Sequence, residues 1–243
     1  MSIDLVKLVE KYDKILRQLY MNGFNKQALG IKDKGSIRTC EAQILYSLIR
    51  ERKYKKIIDI GTGNGFSSLY FCKALRDSEI KDAVVDTIDI VDKNIEKNIK
   101  TMFINNGLDN IIRFNVGSSD LILPGLDNDY DFVLIDGNHT YEQAKSDFYN
   151  VFDKVKPHGC FAFHDVYKKP PGSVGPRNFV EELSYNGDLD IVFFTKELFD
   201  FFIYLEDIYD CNRIAEKWKK YNYSYVSPTA DPKSLMALVF KGE

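Results

Sequence analysis

Lys55-Lys56-Ile57-Ile58-Asp59-Ile60-Gly61-Thr62-Gly63-Asn64-Gly65-Phe66-Ser67-Ser68 is the stretch on which the reading of this chain turns. Ile57 to Ile60 reads as a short buried strand, and it runs straight into glycines at alternate positions. A helix that Ser67 or Ser68 can help start comes next. Glycines so spaced let the backbone turn sharply after a strand and bring its N–H groups against a ligand with no Cβ in the way. The spacing also excludes two common loops. A dinucleotide fingerprint, G-x-G-x-x-G, needs glycine where Phe66 stands. A phosphate-binding loop needs a lysine after its last glycine, and none follows here.

Working outward, 243 residues suit one α/β domain with decorations, or a domain with a small cap. The hydrophobic content of 44% is ample for a core. Net charge is −3 with both signs well mixed, which argues against the basic stripe of a nucleic-acid partner. The cysteines, Cys40, Cys72, Cys160 and Cys211, are scattered with no C-x-x-C. Cys72 and Cys160 fall in apolar patterns and read as buried free thiols, so a zinc site or a disulfide framework is not expected, and a reducing compartment fits. No charged leader with an apolar segment opens the sequence, and no run of 18 apolar residues occurs. The expectation is a soluble, cytoplasmic protein with no membrane partner.

Residues 3–20 place Leu5, Leu8, Val9, Tyr12, Ile15, Leu16 and Leu19 on one helical face, and 36–50 predicts a second helix with Ile44, Leu45, Leu48 and Ile49 inward. Together, 1–54 reads as an N-terminal helical cap, and 55–243 as the main domain. From Lys55 onward strands alternate with helices, which favours a parallel sheet with crossover helices. Strands are expected at 56–60, 83–90, 111–115, 131–136, 159–164, 189–195 and 234–241, and helices at 66–76, 93–105, 140–153 and 176–184. Residues 154–159 read as a helix end and turn, with His158 on the surface. The apolar run 199–205 reads as an edge strand, 168–176 as a loop, and 207–232 as an insertion rich in Tyr, Lys and Asp.

In such a sheet, ligands lie beyond the carboxyl ends of the strands. The residues there are Asp59 and the glycines after the first strand, and Asp89-Ile90-Val91-Asp92 after the second. Gly117-Ser118-Ser119 follows the third, Asp136-Gly137-Asn138-His139-Thr140-Tyr141-Glu142 the fourth, and His164-Asp165 the fifth. The glycine loop with its preceding acid resembles the E/D-x-G-x-G-x-G motif of class I S-adenosylmethionine (SAM) methyltransferases. The later run I-D-G-x-H-x-Y-E, with Asp147 further on and then His164-Asp165, resembles the subfamily near the macrocin and cephalosporin-cluster enzymes. It is also similar, more distantly, to catechol O-methyltransferase. The resemblance spans roughly residues 40–185.

That resemblance implies a Rossmann-like, mostly parallel seven-stranded sheet with helices on both faces, the last strand inserted antiparallel. It implies SAM held by Asp59, Gly61, Thr62, Gly63, Gly65, Ser67, Asp89, Ile90, Ser118, Ser119 and Asp136. Asp89 would take the ribose hydroxyls, with Asp92 the spare, and Ser118 or Ser119 the adenine edge. Ser119 can equally cap a short helix. Asp136 and Asp165, with His164 as a third ligand, would hold a divalent cation such as Mg²⁺; alternatively His164 only orients the acceptor. A histidine ligand suits Mn²⁺, Fe²⁺ or Zn²⁺ better than Mg²⁺. His139 is the candidate general base, and Asp136 and His164 complete the catalytic set. The implied reaction is O-methylation of a small hydroxylated acceptor. The loop 168–176 would close as a lid, and Arg177 would bind an anionic acceptor group or stand in solvent. The tyrosines of the insertion (Tyr209, Tyr221, Tyr223, Tyr225) would wall the acceptor pocket or form a contact in a homo-oligomer. The rival readings are a SAM-binding scaffold without chemistry and a nucleotide-dependent oxidoreductase or hydroxylase on a similar sheet.

Overall fold

The computed structural model describes residues 4–31, 37–92, 97–166, 175–185, 189–193 and 236–242. The expected edge strand at 199–205, the 207–232 insertion with its tyrosines, and 168–174 of the lid loop lie outside the described residues, as does Cys211.

Two helices come first. In α1 (Leu5–Met21), the Asp4 side chain accepts from the Lys7 N–H at 3.1 Å, satisfying one of the donors that a helix start leaves open. Leu5, Leu8, Val9, Leu16 and Leu19 are buried, as their spacing predicts. In α2 (Thr39–Arg52), Glu41 accepts from the Arg38 N–H at 2.7 Å. Burial here goes well beyond the expected inward face. Glu41, Gln43, Tyr46 and Ser47 are buried along with Ile44, Leu45, Leu48 and Ile49, because α1 and α3 both pack against α2 and His164 meets Glu41.

The remaining elements are β1 (Lys56–Ile60), α3 (Phe66–Asp77), β2 (Val84–Asp89), α4 (Lys97–Asn105), β3 (Ile112–Val116), α5 (Ser119–Ile122), β4 (Tyr130–Ile135), α6 (Tyr141–Phe152), β5 (Val155–Phe163), α7 (Pro176–Tyr185), β6 (Leu189–Phe193) and β7 (Ala237–Lys241). The strands form one sheet in the order β3-β2-β1-β4-β5-β7-β6. Pairings from β3 through β5 are parallel, and β7 runs antiparallel to both β5 and β6. The sheet is therefore the expected mostly parallel, seven-stranded one, with the last strand inserted antiparallel.

Two apolar layers flank it. On one face, α1 to α4 share a continuous core with Ile57, Val85, Phe132, Leu134, Cys160 and Leu238. On the other, Ile58, Ile60, Val133, Ile135, Phe161 and Phe163 pack against Phe148 of α6 and Phe179 of α7. Buried residues recur at successive strand positions, as they must in a sheet covered on both faces. The order of strand addition reverses between β1 and β4: β2 and β3 are added to one side, β4 and β5 to the other. This switch point opens a crevice at the strand tips.

Candidate active site

The glycine loop fills that crevice from β1. The Gly61 and Thr62 N–H groups both donate to the Ile88 carbonyl, at 2.9 and 3.1 Å, and Gly65 N–H donates to the Thr62 carbonyl at 2.7 Å. Gly61, Gly63 and Gly65 have φ of +99°, +48° and +76°, where L side chains are strained. Gly61 is the most confined. A Cβ there would collide with the Asp136 carbonyl oxygen and lie 2.7 Å from its carbonyl carbon. Asp89 grips the loop from β2: Oδ2 accepts from Gly63 N–H and Oδ1 from Val91 N–H, each at 3.0 Å. Ile90, beside it, leaves 77% of its surface exposed at the rim.

Thr62 and Ser67 turn inward. The Thr62 and Thr87 hydroxyls share a hydrogen bond of 2.6 Å, and Ser67 donates to Asp59 Oδ2 at 2.8 Å. Ser68 donates to the same oxygen. Asp59 is fully buried, and its Oδ1 has no hydrogen-bond partner among the described residues. Burial pushes its carboxyl up to about 7; the two serines oppose this, and the neighbouring Asp136 and Asp89 charges reinforce it. The acid of the motif therefore sits beneath the loop rather than on its surface.

At the tip of β3, the Gly117 N–H donates to the Asp89 carbonyl at 2.9 Å, so the second and third strand ends are tied together. Ser118, not Ser119, occupies the N-cap position of α5. The Ser119 hydroxyl instead donates to Asp147 Oδ1 on α6, at 2.6 Å. Gln143 donates to that same oxygen at 3.0 Å. Burial raises the Asp147 carboxyl, and the Ser119 and Gln143 hydrogen bonds pull it back.

On the other side of the crevice lies a chain of five charged or titratable partners. His164 is buried, with Nδ1 2.8 Å from Asp136 Oδ1 and Nε2 3.2 Å from Glu41 Oε2. A carboxylate only accepts, so a ring facing one at each nitrogen is an imidazolium. Burial alone would drive it toward neutrality, but the Asp136 and Glu41 charges hold its pKa well above the ordinary histidine value. Asp165 Oδ1 lies 3.6 Å from the same Nδ1, and its Oδ2 lies 2.8 Å from His139 Nδ1. His139 is 46% exposed. The hydrogen bond to Asp165 raises its pKa; partial burial and the His164 charge offset part of that rise. His158 is exposed in β5, at the far end of the sheet, as expected.

The metal-ligand set does not fit the observed chemistry. His164 offers no free ring lone pair between its two carboxylates, and no group of three or more His, Cys, Asp and Glu side chains among the described residues is arranged to hold a metal ion. Arg177 is engaged one turn along its own helix, its Nε 2.7 Å from Glu181.

Two participants escape a reading confined to strand tips. Glu41 reaches the site from α2; its only sequence signal is an acid entering an apolar helical run. Gln143 reaches it from α6, one turn before Asp147.

This strand order, with β7 reversed, matches the Rossmann-like methyltransferase fold. Residues 58–166 match a family model described as a methyltransferase domain. No curated protein matches the chain. Among solved structures, the O-methyltransferase TomG from Streptomyces achromogenes, involved in tomaymycin synthesis and solved in complex with SAM, superposes with a TM-score of 0.62 at 17% identity, covering 93% of this chain and 89% of that one. An O-methyltransferase from Bacillus cereus in complex with SAH gives 0.59 at 12% identity over 99% and 93%. The SAH-bound methyltransferase PaMTH1 from Podospora anserina gives 0.58 at 16% over 100% and 89%.

Proposed function

We propose that this chain is a SAM-dependent O-methyltransferase acting on a small hydroxylated metabolite or sugar, in the subfamily near the macrocin and cephalosporin-cluster enzymes. One observation carries the reading: a glycine loop locked between Asp89 and the Asp136 backbone, with no room for a Cβ at Gly61. The methyltransferase-domain match over 58–166 and the SAM- and SAH-bound relatives of this fold support it. Buried free thiols at Cys40, Cys72 and Cys160 agree with a cytoplasmic setting.

The residues present suit the cofactor. Asp89 and Asp136 place carboxyl groups at adjoining strand tips, complementary to a sulfonium and an ammonium, and Asp59 Oδ1 is a buried oxygen without a partner among the described residues. Asp89 is assigned to the ribose hydroxyls, and the exposed Ile90 beside it offers an apolar surface to the adenine. Bound SAM supplies a methyl group on a sulfonium, an electrophile with a good leaving group. The chain must then align the acceptor oxygen and take its proton. His139 suits that task. Its Nδ1–H donates to Asp165, which fixes the tautomer in which Nε2 is the basic nitrogen for the acceptor's O–H proton. Asp165 steadies the imidazolium that results. The buried Glu41–His164–Asp136 triad holds the floor of the site, and no step requires His164 to change protonation.

Titration calorimetry with SAM, SAH and NAD(P) tests the cofactor; the expected result is uptake of SAM and SAH and none of NAD(P). Conversion of SAM to SAH across a panel of hydroxylated acceptors tests the chemistry and separates an enzyme from a binding scaffold. Turnover is expected to persist after exhaustive chelation. Replacing His139 with Ala should slow turnover by about 10²- to 10⁴-fold while leaving SAH affinity nearly unchanged. Because Asp165 raises the His139 pKa, the neutral base accumulates only above the ordinary histidine value, near 6.5. The acid limb of the rate profile should therefore lie above that pH in the native protein, and Asp165→Asn should move it downward. A limb indifferent to Asp165 would remove the pair from the mechanism.

A further inference from the structure

The hydrogen-bond pattern at the tip of β3 fixes more than the position of Ser119; it fixes the polarity of its hydroxyl. A serine hydroxyl has one hydrogen to donate and two lone pairs. Here the hydrogen is directed at Asp147 Oδ1, 2.6 Å away. The Gln143 amide donates to the same Oδ1, which marks that oxygen as the acceptor. The Gln143 amide nitrogen contacts Ser119 Oγ at 3.2 Å, Asp147 Oδ1 at 3.0 Å and Asp120 Oδ2 at 3.3 Å. Two of those oxygens are carboxylate, so the amide must present its N–H side to all three. One Ser119 lone pair therefore faces Gln143. What remains for a ligand is lone-pair capacity and no donor.

Asp147 itself is fully buried. Its second oxygen has no hydrogen-bond partner among the described residues and would lie 3.7 Å from a Cβ at Gly137. A buried carboxylate with one oxygen unpaired is a poor choice for stability alone. It is a good choice for commanding a hydroxyl.

We propose that Asp147 and Gln143 are positioning residues that make Ser119 an acceptor-only reader of the cofactor's purine, admitting a 6-amino edge and rejecting a 6-oxo edge. The proposal rests on the SAM reading above and deepens it. Ser119 stands next to the strand end that carries Asp89, and the Gly117–Asp89 backbone hydrogen bond ties the two. An adenine amino group there would donate to the free lone pair. A hypoxanthine carbonyl would set oxygen against oxygen, and sites built on a committed hydrogen bond reject such analogues strongly.

The test is calorimetric binding of S-adenosylhomocysteine and S-inosylhomocysteine, which needs no acceptor and no turnover. The native protein should prefer the adenosyl compound by about 10- to 100-fold. Ser119→Ala should bring the ratio close to one. Asp147→Ala should do the same, because the hydroxyl is then free to turn outward and donate. Asp147→Asn should preserve the ratio, since its carbonyl oxygen still meets Ser119 and Gln143. A role confined to structure would weaken both ligands alike and leave their ratio intact. If Asp147→Ala fails to fold, Ser119→Ala, at a half-buried helix start, still decides. Equal binding of the two compounds by native protein overturns the inference while leaving the SAM reading standing, as does a preference that survives in Ser119→Ala. Failure of native protein to bind either compound overturns the SAM reading, and this inference with it.

Discussion

Replacing Gly61 with alanine is expected to abolish SAH binding and to destabilise the fold by about 4 kcal/mol. Two penalties combine. A φ of +99° is a conformation that L residues seldom adopt, costing about 1–3 kcal/mol. The added methyl would also meet backbone, not a side chain: the Asp136 carbonyl oxygen and, at 2.7 Å, its carbon. A side chain can swing away from an intruding methyl, but a strand end cannot. Asp136 N–H donates to the Ile60 carbonyl at 2.9 Å, so moving one strand drags the other. Relief would require separating β1 from β4 at the switch point, which is where the cofactor is proposed to lie. Denaturant unfolding gives the stability change, and calorimetry with SAH gives the binding. Gly65→Ala provides the contrast. Its Cβ would meet only side-chain atoms of Ile99, Met102 and Phe103, at 3.2–3.3 Å, and these can shift. A Gly61→Ala protein that binds SAH normally would remove the loop from the site.

What the sequence reveals here follows how far each signal travels along the chain. Local signals suffice for the glycine loop, for Asp89 at the end of an apolar run, and for the alternation that predicts the sheet. They mislead where local chemistry suggests an ending that tertiary contacts override. Pro157-His158-Gly159 reads as a turn, yet β5 begins at Val155, before it. The strand carries an irregularity there: its pairing with β4 jumps from Tyr130↔Val155 to Phe132↔Cys160, and His158 adopts a φ of +63°. A bulge uses the same residues as a turn, and only the neighbouring strand distinguishes them. Ser119 illustrates a second limit. Either reading from sequence, adenine contact or helix cap, concerns its own surroundings, whereas its partner Asp147 is 28 residues away. Helical periodicity also assumes one buried face, so it finds α2 but not the burial of Glu41, Gln43, Tyr46 and Ser47 around it. Glu41 is the extreme case. It lies 123 residues from His164, and nothing in either segment announces the other.

That long-range triad carries the second large expectation. Glu41→Ala should cost about 3–5 kcal/mol, the range for breaking a buried ion pair by removing one partner. Both side chains are nearly inaccessible, 7% exposed for His164 and 4% for Glu41, so water cannot replace the lost carboxylate. The pH dependence identifies the cause. His164 has a folded-state pKa raised above its unfolded value of about 6.5, so it binds protons more tightly when folded. Its contribution to stability is fully present below that value and is lost as pH rises through the raised one. Glu41→Gln keeps an oxygen for Nε2–H but removes the charge, which lowers the folded pKa toward the unfolded. The stability gap between native protein and Glu41→Gln should therefore be widest near pH 6 and narrow steadily in more alkaline solution. Above the native His164 pKa it should vanish or reverse, because the native protein then buries Glu41 without a cation beside it. Urea unfolding across that range measures the gap directly. A gap that does not change with pH would mean that Glu41 acts by packing and capping alone. A gap that closes as described would mean that α2 supplies a charge to the buried His164, joining the helical cap to the sheet through an ion pair.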